Sequence, residues 1–177
     1  MNVFLPYEDD IVKSVQSLDD VRLNKQILEC YQLLNNATNE YLGREIKGYK
    51  NHPVYVFYKD NIPFLAYYGL CCGIEYCERF EKTHKLYIDF MEYCHNYCER
   101  VKLLTYKEPL YTPYYMEGSK GYPNYIRTTN NVSELFRQKL IKKWEQDKAK
   151  GRQPKWTNRQ VPQFYQQWLK ENGDERK

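Results

Sequence analysis

The stretch from Ser17 to Thr38, SLDDVRLNKQILECYQLLNNAT, decides the fold. Leu23, Ile27, Cys30, Tyr31 and Leu34 recur at i, i+4, i+7, i+8 and i+11, which is one face of an α-helix. Ser17 is a good N-cap residue and Asp20 stands three positions on, so the spacing predicts a helix from about Ser17 to Thr38. The opposite stripe holds Arg22, Lys25, Glu29, Gln32 and Asn36. At about 100° per residue these five fall within a quadrant of one another. One carboxylate therefore stands a turn from a lysine and from a glutamine on a basic, amide-rich stripe, where it can stabilise a cation or move a proton. The plainer reading is the solvent face of an amphipathic helix carrying an Arg/Lys–Glu ladder, and this helix alone favours it.

Working outward, the same period returns. Asn2 to Leu5 is a short apolar segment closed by Pro6, either a stray strand or an ordered N-terminal arm. Glycines and basic residues from Gly43 to Pro53 read as a polar loop ending at His52. Val54 to Tyr58 is β-prone, but Pro63 suits a first helical turn, and Phe64, Leu65, Tyr68, Cys72 and Tyr76 mark a helix over about 62–82. Leu86, Phe90, Tyr93, Tyr97 and Val101 mark another over about 86–104. From Thr105 to Asn131 the periodicity fails: Pro109, Pro113, Gly118, Gly121 and Pro123 punctuate a loop rich in tyrosine. A helix resumes near Ser133 and runs to about Lys150, with Gly151 and Pro154 ending it; beyond Leu169 a polar tail is expected. The expected fold is mainly α: a single compact helical domain over 1–177 with a long Tyr-rich loop and a frayed end at 171–177.

Charge is unevenly placed. The chain carries a net +4, yet Arg137 to Arg159 holds nine basic residues against Glu145 and Asp147, a local +7. Such a segment suits a polyanion partner, although charge alone equally describes a solvated helix face. The six cysteines do not read as a disulfide framework, because nothing signals a secreted context. Cys94 and Cys98 share a helix face near His95, but their spacing is not that of a zinc site, and buried reduced thiols are the preferred reading. No metal and no cofactor is expected. The N-terminus lacks a basic leader, and no apolar run is long enough for a bilayer, so the expectation is a cytoplasmic monomer (host-cell cytoplasm if viral) without membrane contact.

Three ordered stretches resemble the pyrimidine-dimer DNA glycosylase/AP-lyase (endonuclease V) family of phages. The first is Leu18-Asp19-Asp20-Val21-Arg22-Leu23 through Glu29, similar to a family helix with a polar residue where Arg22 stands and a catalytic Glu where Glu29 stands. The second is His52-Pro53-Val54-Tyr55-Val56-Phe57-Tyr58-Lys59-Asp60 with Phe64-Leu65. The third is Arg137 and the lysines after it, Pro154-Lys155-Trp156, and Arg159-Gln160-Val161-Pro162 with Phe164-Tyr165. Met1-Asn2-Val3-Phe4 is similar to the opening of a longer phage-encoded branch.

The resemblance implies an N-glycosylase with AP-lyase activity that needs no metal and acts on double-stranded DNA bearing a damaged or modified base. An amine attacks the sugar C1′ of an extruded nucleotide and forms an imine. In the family this is the α-amino group of the chain. Asn2 usually leaves the initiator Met in place, so Met1 would supply the amine here, with Lys25 as the alternative, and Glu29 would be the catalytic carboxylate. Arg22, Lys25, Gln32, His52, Arg137, Lys139, Lys142, Lys143, Lys155 and Arg159 are the candidate DNA contacts. Two other classes compete. A non-catalytic DNA binder would use the lysines for phosphate and Trp144 and Trp156 for stacking, but it has no use for Glu29 on a face meant for phosphates. A protein-interaction factor would use the tyrosine loop.

Overall fold

The computed structural model describes residues 3–46, 48, 50, 51, 55, 62–101 and 132–173, without the side chains of 41, 62, 63, 93 and 96–101. The described residues form six helices: α1 (Ile11–Gln16), α2 (Asp20–Tyr41), α3 (Ile62–Phe80), α4 (Lys85–Val101), α5 (Val132–Ala149) and α6 (Gln163–Asn172). No strand occurs among them.

The mainly helical expectation holds, with three corrections. Ser17 does not start the long helix. It closes α1, whose own N-cap is Asp10, accepting from the Lys13 amide at 2.8 Å. The chain turns at Ser17–Asp19, and α2 begins at Asp20 and continues to Tyr41. The C-terminal segment is also not a tail from Leu169: Pro162 stands at the N-cap position of a helix that runs to Asn172. Its amphipathic signal is short, with Tyr165 buried and Gln166 and Gln167 exposed, which hid it beside a polar end. Third, Tyr31 is only half-buried, while Leu23, Ile27, Cys30 and Leu34 form the buried stripe of α2 as expected, joined by Leu33 and Ala37.

Helix α2 packs against α3 and α4, α3 also meets α1, and α5 meets α6. Two glycines let α3 approach α4: a Cβ on Gly69 would stand 2.4 Å from Phe90 Cζ, and one on Gly73 would stand 2.1 Å from the Tyr87 ring. The α1–α2 corner is a polar junction. Arg79 of α3 is fully buried there and donates to Glu75 Oε1 (2.6 Å), to the Leu18 carbonyl (2.7 Å) and to the Gln16 carbonyl (2.8 Å). Trp156 Nε1 donates to the Ser17 carbonyl at 2.9 Å, and Thr157 Oγ1 donates to Asp20 at 2.7 Å.

A second core layer is aromatic. Trp144 is fully buried among Trp156, Phe164 and Tyr165, with ring centroids 4.7–5.8 Å away. The segment at 3–6 is an ordered arm. Val3, Phe4 and Leu5 are buried; the Tyr68 hydroxyl donates to the Phe4 carbonyl at 3.0 Å, and Phe4 meets Phe136 of α5 edge-on at 6.2 Å. Arg137 Nε donates to the Pro6 carbonyl at 2.9 Å, and Ser133 Oγ accepts from the Glu8 amide at 2.9 Å. The arm is thus strapped to α5 on one side and α3 on the other.

Candidate active site

Glu29 is the side chain on which the outer-face reading of α2 fails. It is 6% exposed, and its stripe neighbour Arg22 reaches Asp147 of α5 at 2.7 Å. Its Oε2 accepts from Gln26 Nε2 at 3.0 Å, and its Oε1 lies 3.5 Å from Lys25 Nζ. Lys25 is itself mostly in solvent. Asn36, lower on the same stripe, is buried and donates to the Gly48 carbonyl at 3.1 Å, while Gln32 is half-buried. Burying a carboxylate is costly unless donors and cations surround it, and this edge supplies both.

The cations come from two helices. Lys143 of α5 is half-buried; burial holds its ammonium below the ordinary lysine range, the charges of Arg22 and Lys25 push it lower, and Glu29 and Asp147 partly restore it. Lys139, one turn earlier, is brought down to about 8, first by burial and then by Lys143. Phe136, a turn earlier still, is the residue that touches Phe4 of the arm. Burial pushes the Tyr68 hydroxyl well up, and the Glu29 charge adds to that shift, so the residue that holds Phe4 also lies within electrostatic reach of Glu29. Gln26, Lys25 and Lys143 therefore gather around Glu29, with Lys139 beside Lys143 and the arm at 3–6 held by Tyr68.

Other expected contacts sit elsewhere or are already engaged. Arg22 donates twice to Asp19, at 2.9 and 3.0 Å, and to Asp147 at 2.7 Å. That bond, ahead of the opposing effect of burial, holds the Asp147 carboxyl below its usual range. Arg159 donates to both Glu75 oxygens at 2.9 Å and also to Glu78, away from Glu29 on the α3 side. Arg137 lies over Tyr7 and Phe164 while bonding Pro6, a strap on the arm. Lys142 lines an open groove of about 760 Å³ between α5 and α6 with Trp168, and Lys155 is exposed beside the α2 start. Met1, His52 and the tyrosine loop at 105–131 lie outside the described residues.

The tryptophans answer one competing idea. Trp144 Nε1 donates to Asp19 Oδ1 at 2.8 Å inside the core, and both Trp144 and Trp156 are buried, so neither is a surface on which bases stack.

A family model described as pyrimidine dimer DNA glycosylase matches residues 1–89. The chain belongs to the pyrimidine dimer DNA glycosylase family. The match spans the arm, α1–α3, the first residues of α4 and the whole Glu29 edge of α2; α5, with Lys139 and Lys143, lies beyond it. No curated protein and no solved structure matches this glycosylase. Sequence reading named Glu29 and both α5 lysines but missed Gln26, Asp147 and Tyr68. Gln26 stands three residues before Glu29, a spacing visible in the sequence. Asp147 was counted only as a charge offsetting its lysine neighbours.

Proposed function

We propose that this glycosylase excises a damaged or modified pyrimidine from duplex DNA through an amine–C1′ imine and then cleaves the strand as an AP lyase. The observation that carries this reading is the burial of Glu29 on an edge of cations, beside the anchored N-terminal arm. A neutral amine attacks C1′ of the extruded nucleotide. The glycosidic bond breaks, its electron pair leaves with the base, and the base takes up a proton. The new C1′–N nitrogen gives up a proton, the sugar ring opens at C1′–O4′, and the imine forms with O4′ as a hydroxyl. Loss of a C2′ proton then expels the 3′ phosphate by β-elimination. Glu29 stabilises the cationic sugar and iminium and carries the C2′ proton.

The α-amino group of Met1 is the proposed nucleophile. An α-amine has a reference pKa of about 7.7–8.0, so a useful share is neutral near pH 7. Lys25 is the second candidate, close to Glu29. Lys139, Lys143, Gln32 and the exposed Lys142 and Lys155 would hold phosphates around the lesion.

The test pairs two measurements. Glu29→Gln abolishes cleavage of ultraviolet-irradiated duplex while DNA affinity is kept or improved, because a carboxylate no longer repels phosphate. Borohydride trapping on abasic-site DNA, with chelator present, gives a covalent adduct whose peptide map distinguishes Met1 from Lys25. Full cleavage by Glu29→Gln would remove Glu29 from the reaction, whereas neither cleavage nor adduct with the wild-type protein would sink the reading and leave a DNA binder.

A further inference from the structure

Gln26 is a part of the Glu29 edge that the reaction above does not use. It is 2% exposed, and its Nε2 donates to Glu29 Oε2 at 3.0 Å. Its Oε1 is buried and has no hydrogen-bond partner among the described residues. The amide orientation follows from its neighbour: the reverse assignment would set a carbonyl oxygen against a carboxylate oxygen. Gln26 therefore spends its donor on Glu29 and leaves the acceptor of the same amide without a donor among the described residues. Buried acceptors are rarely left without a donor, and when one is, a ligand that brings the donor recovers the loss.

We infer that Gln26 and Glu29 together seat the reacting nitrogen: the Gln26 amide N–H fixes the Glu29 carboxylate, and the Gln26 carbonyl accepts an N–H of the attacking amine. An amine suits this place better than a phosphate or a base carbonyl, because both oxygens here are acceptors and both of those groups bring only acceptors. With one N–H held by the carbonyl, the amine lone pair is directed at C1′. On abasic DNA the same nitrogen adds to the C1′ aldehyde, water leaves with the aldehyde oxygen, and the C=N bond forms. The inference rests on Glu29 being the carboxylate of the reaction.

The full chain is tested as Gln26→Met and Gln26→Glu against wild type and Glu29→Gln. The first variant removes donor and acceptor at similar length; the second keeps the shape but turns the donor facing Glu29 into an acceptor. Borohydride trapping is followed in single turnover on a duplex with one abasic site at saturating protein, with Kd from fluorescence anisotropy and Tm from circular dichroism. Expected is a tenfold or greater loss of trapping rate in both variants with Kd within twofold of wild type. A merely structural Gln26 would lower Tm and leave the rate at saturation unchanged. A folded variant that traps at the wild-type rate while Glu29→Gln is inactive overturns this inference alone. Wild-type trapping and cleavage by Glu29→Gln overturns the role of Glu29 on which this inference rests, and no trapping or cleavage by the wild-type protein overturns the proposed function itself.

Discussion

Replacing Arg79 by leucine tests whether the α1–α2 corner is held as described, because that corner aims the helix carrying Glu29. The guanidinium is fully buried and serves Glu75, Asp20 and the carbonyls of Leu18 and Gln16. Leucine fills much of the volume but leaves the buried Leu18 carbonyl and the part-buried Gln16 carbonyl without this donor and Glu75 without one of its two cations. Removing one partner of a buried ion pair costs about 3–5 kcal/mol. Arg159 still donates to both oxygens of Glu75, which keeps the cost toward the lower end of that range. For a chain of this size, each kcal/mol moves Tm by about 2–4 °C, so the loss is about 6–12 °C at the lower end. Thermal unfolding followed at 222 nm reads it directly. Arg79→Lys should fall between, since an ammonium keeps the charge but cannot span four acceptors in a plane. A fall of less than about 3 °C for Arg79→Leu, under about 1 kcal/mol, would refute the reasoning, because it would mean that water or Arg159 replaces every contact.

Two further outcomes follow from the geometry. Lys139, brought down to about 8 by burial and then by Lys143, loses its charge as pH rises through that value, so DNA affinity should weaken between pH 7 and 9, and Lys139→Arg should flatten the profile in an anisotropy titration. The sign for folding is opposite: the unfolded lysine keeps its proton to about 10.4, so this group adds stability as pH climbs from about 8 toward that value. Gly69→Ala should destabilise by about 1–3 kcal/mol in urea unfolding, since a Cβ 2.4 Å from Phe90 Cζ forces apart a ring that is fully buried between α3 and α4; an unchanged midpoint would contradict that packing.

Helices with long apolar stripes were legible because their period is a local property. Leu23, Ile27, Cys30 and Leu34 announce α2 without reference to the rest of the chain, as Phe64, Leu65, Tyr68 and Cys72 announce α3. The start of α2 was not legible. Ser17 and Asp10 are both good caps, and which one begins a helix depends on Trp156 and Arg79 taking the Ser17, Leu18 and Gln16 carbonyls, contacts that reach 61 to 139 residues along the chain. The burial of Glu29 was hidden for the same reason. A polar stripe looks solvent-facing until distant groups reach it, and here Asp147 of α5 bonds Arg22 while Lys143 comes within electrostatic reach of Glu29, although sequence alone reads that lysine as surface charge. Trp144 and Trp156 misled in the other direction: aromatic rings among lysines suggest a stacking platform, but their indole N–H groups point into the core.

The basic segment also changes meaning once its residues are placed. Lys148 pairs with Glu145 at 3.0 Å, Arg159 with Glu75, and Arg137 holds the arm, so these charges are already answered within the fold. Lys142, Lys150, Arg152 and Lys155 stand in solvent and suit a passing phosphate backbone. Lys143 belongs to neither group: it is half-buried, and it feels the repulsion of Arg22 and Lys25 more strongly than the attraction of Glu29. An anionic backbone laid along this edge relieves that repulsion and at the same time displaces water from around Glu29. The carboxylate then faces a developing cation in a drier site, where the same charges interact more strongly. On the proposed reaction the DNA is therefore more than the object of catalysis. Its phosphates complete a charge balance that the free protein leaves open, and the buried Glu29 gains its full effect only when they are in place.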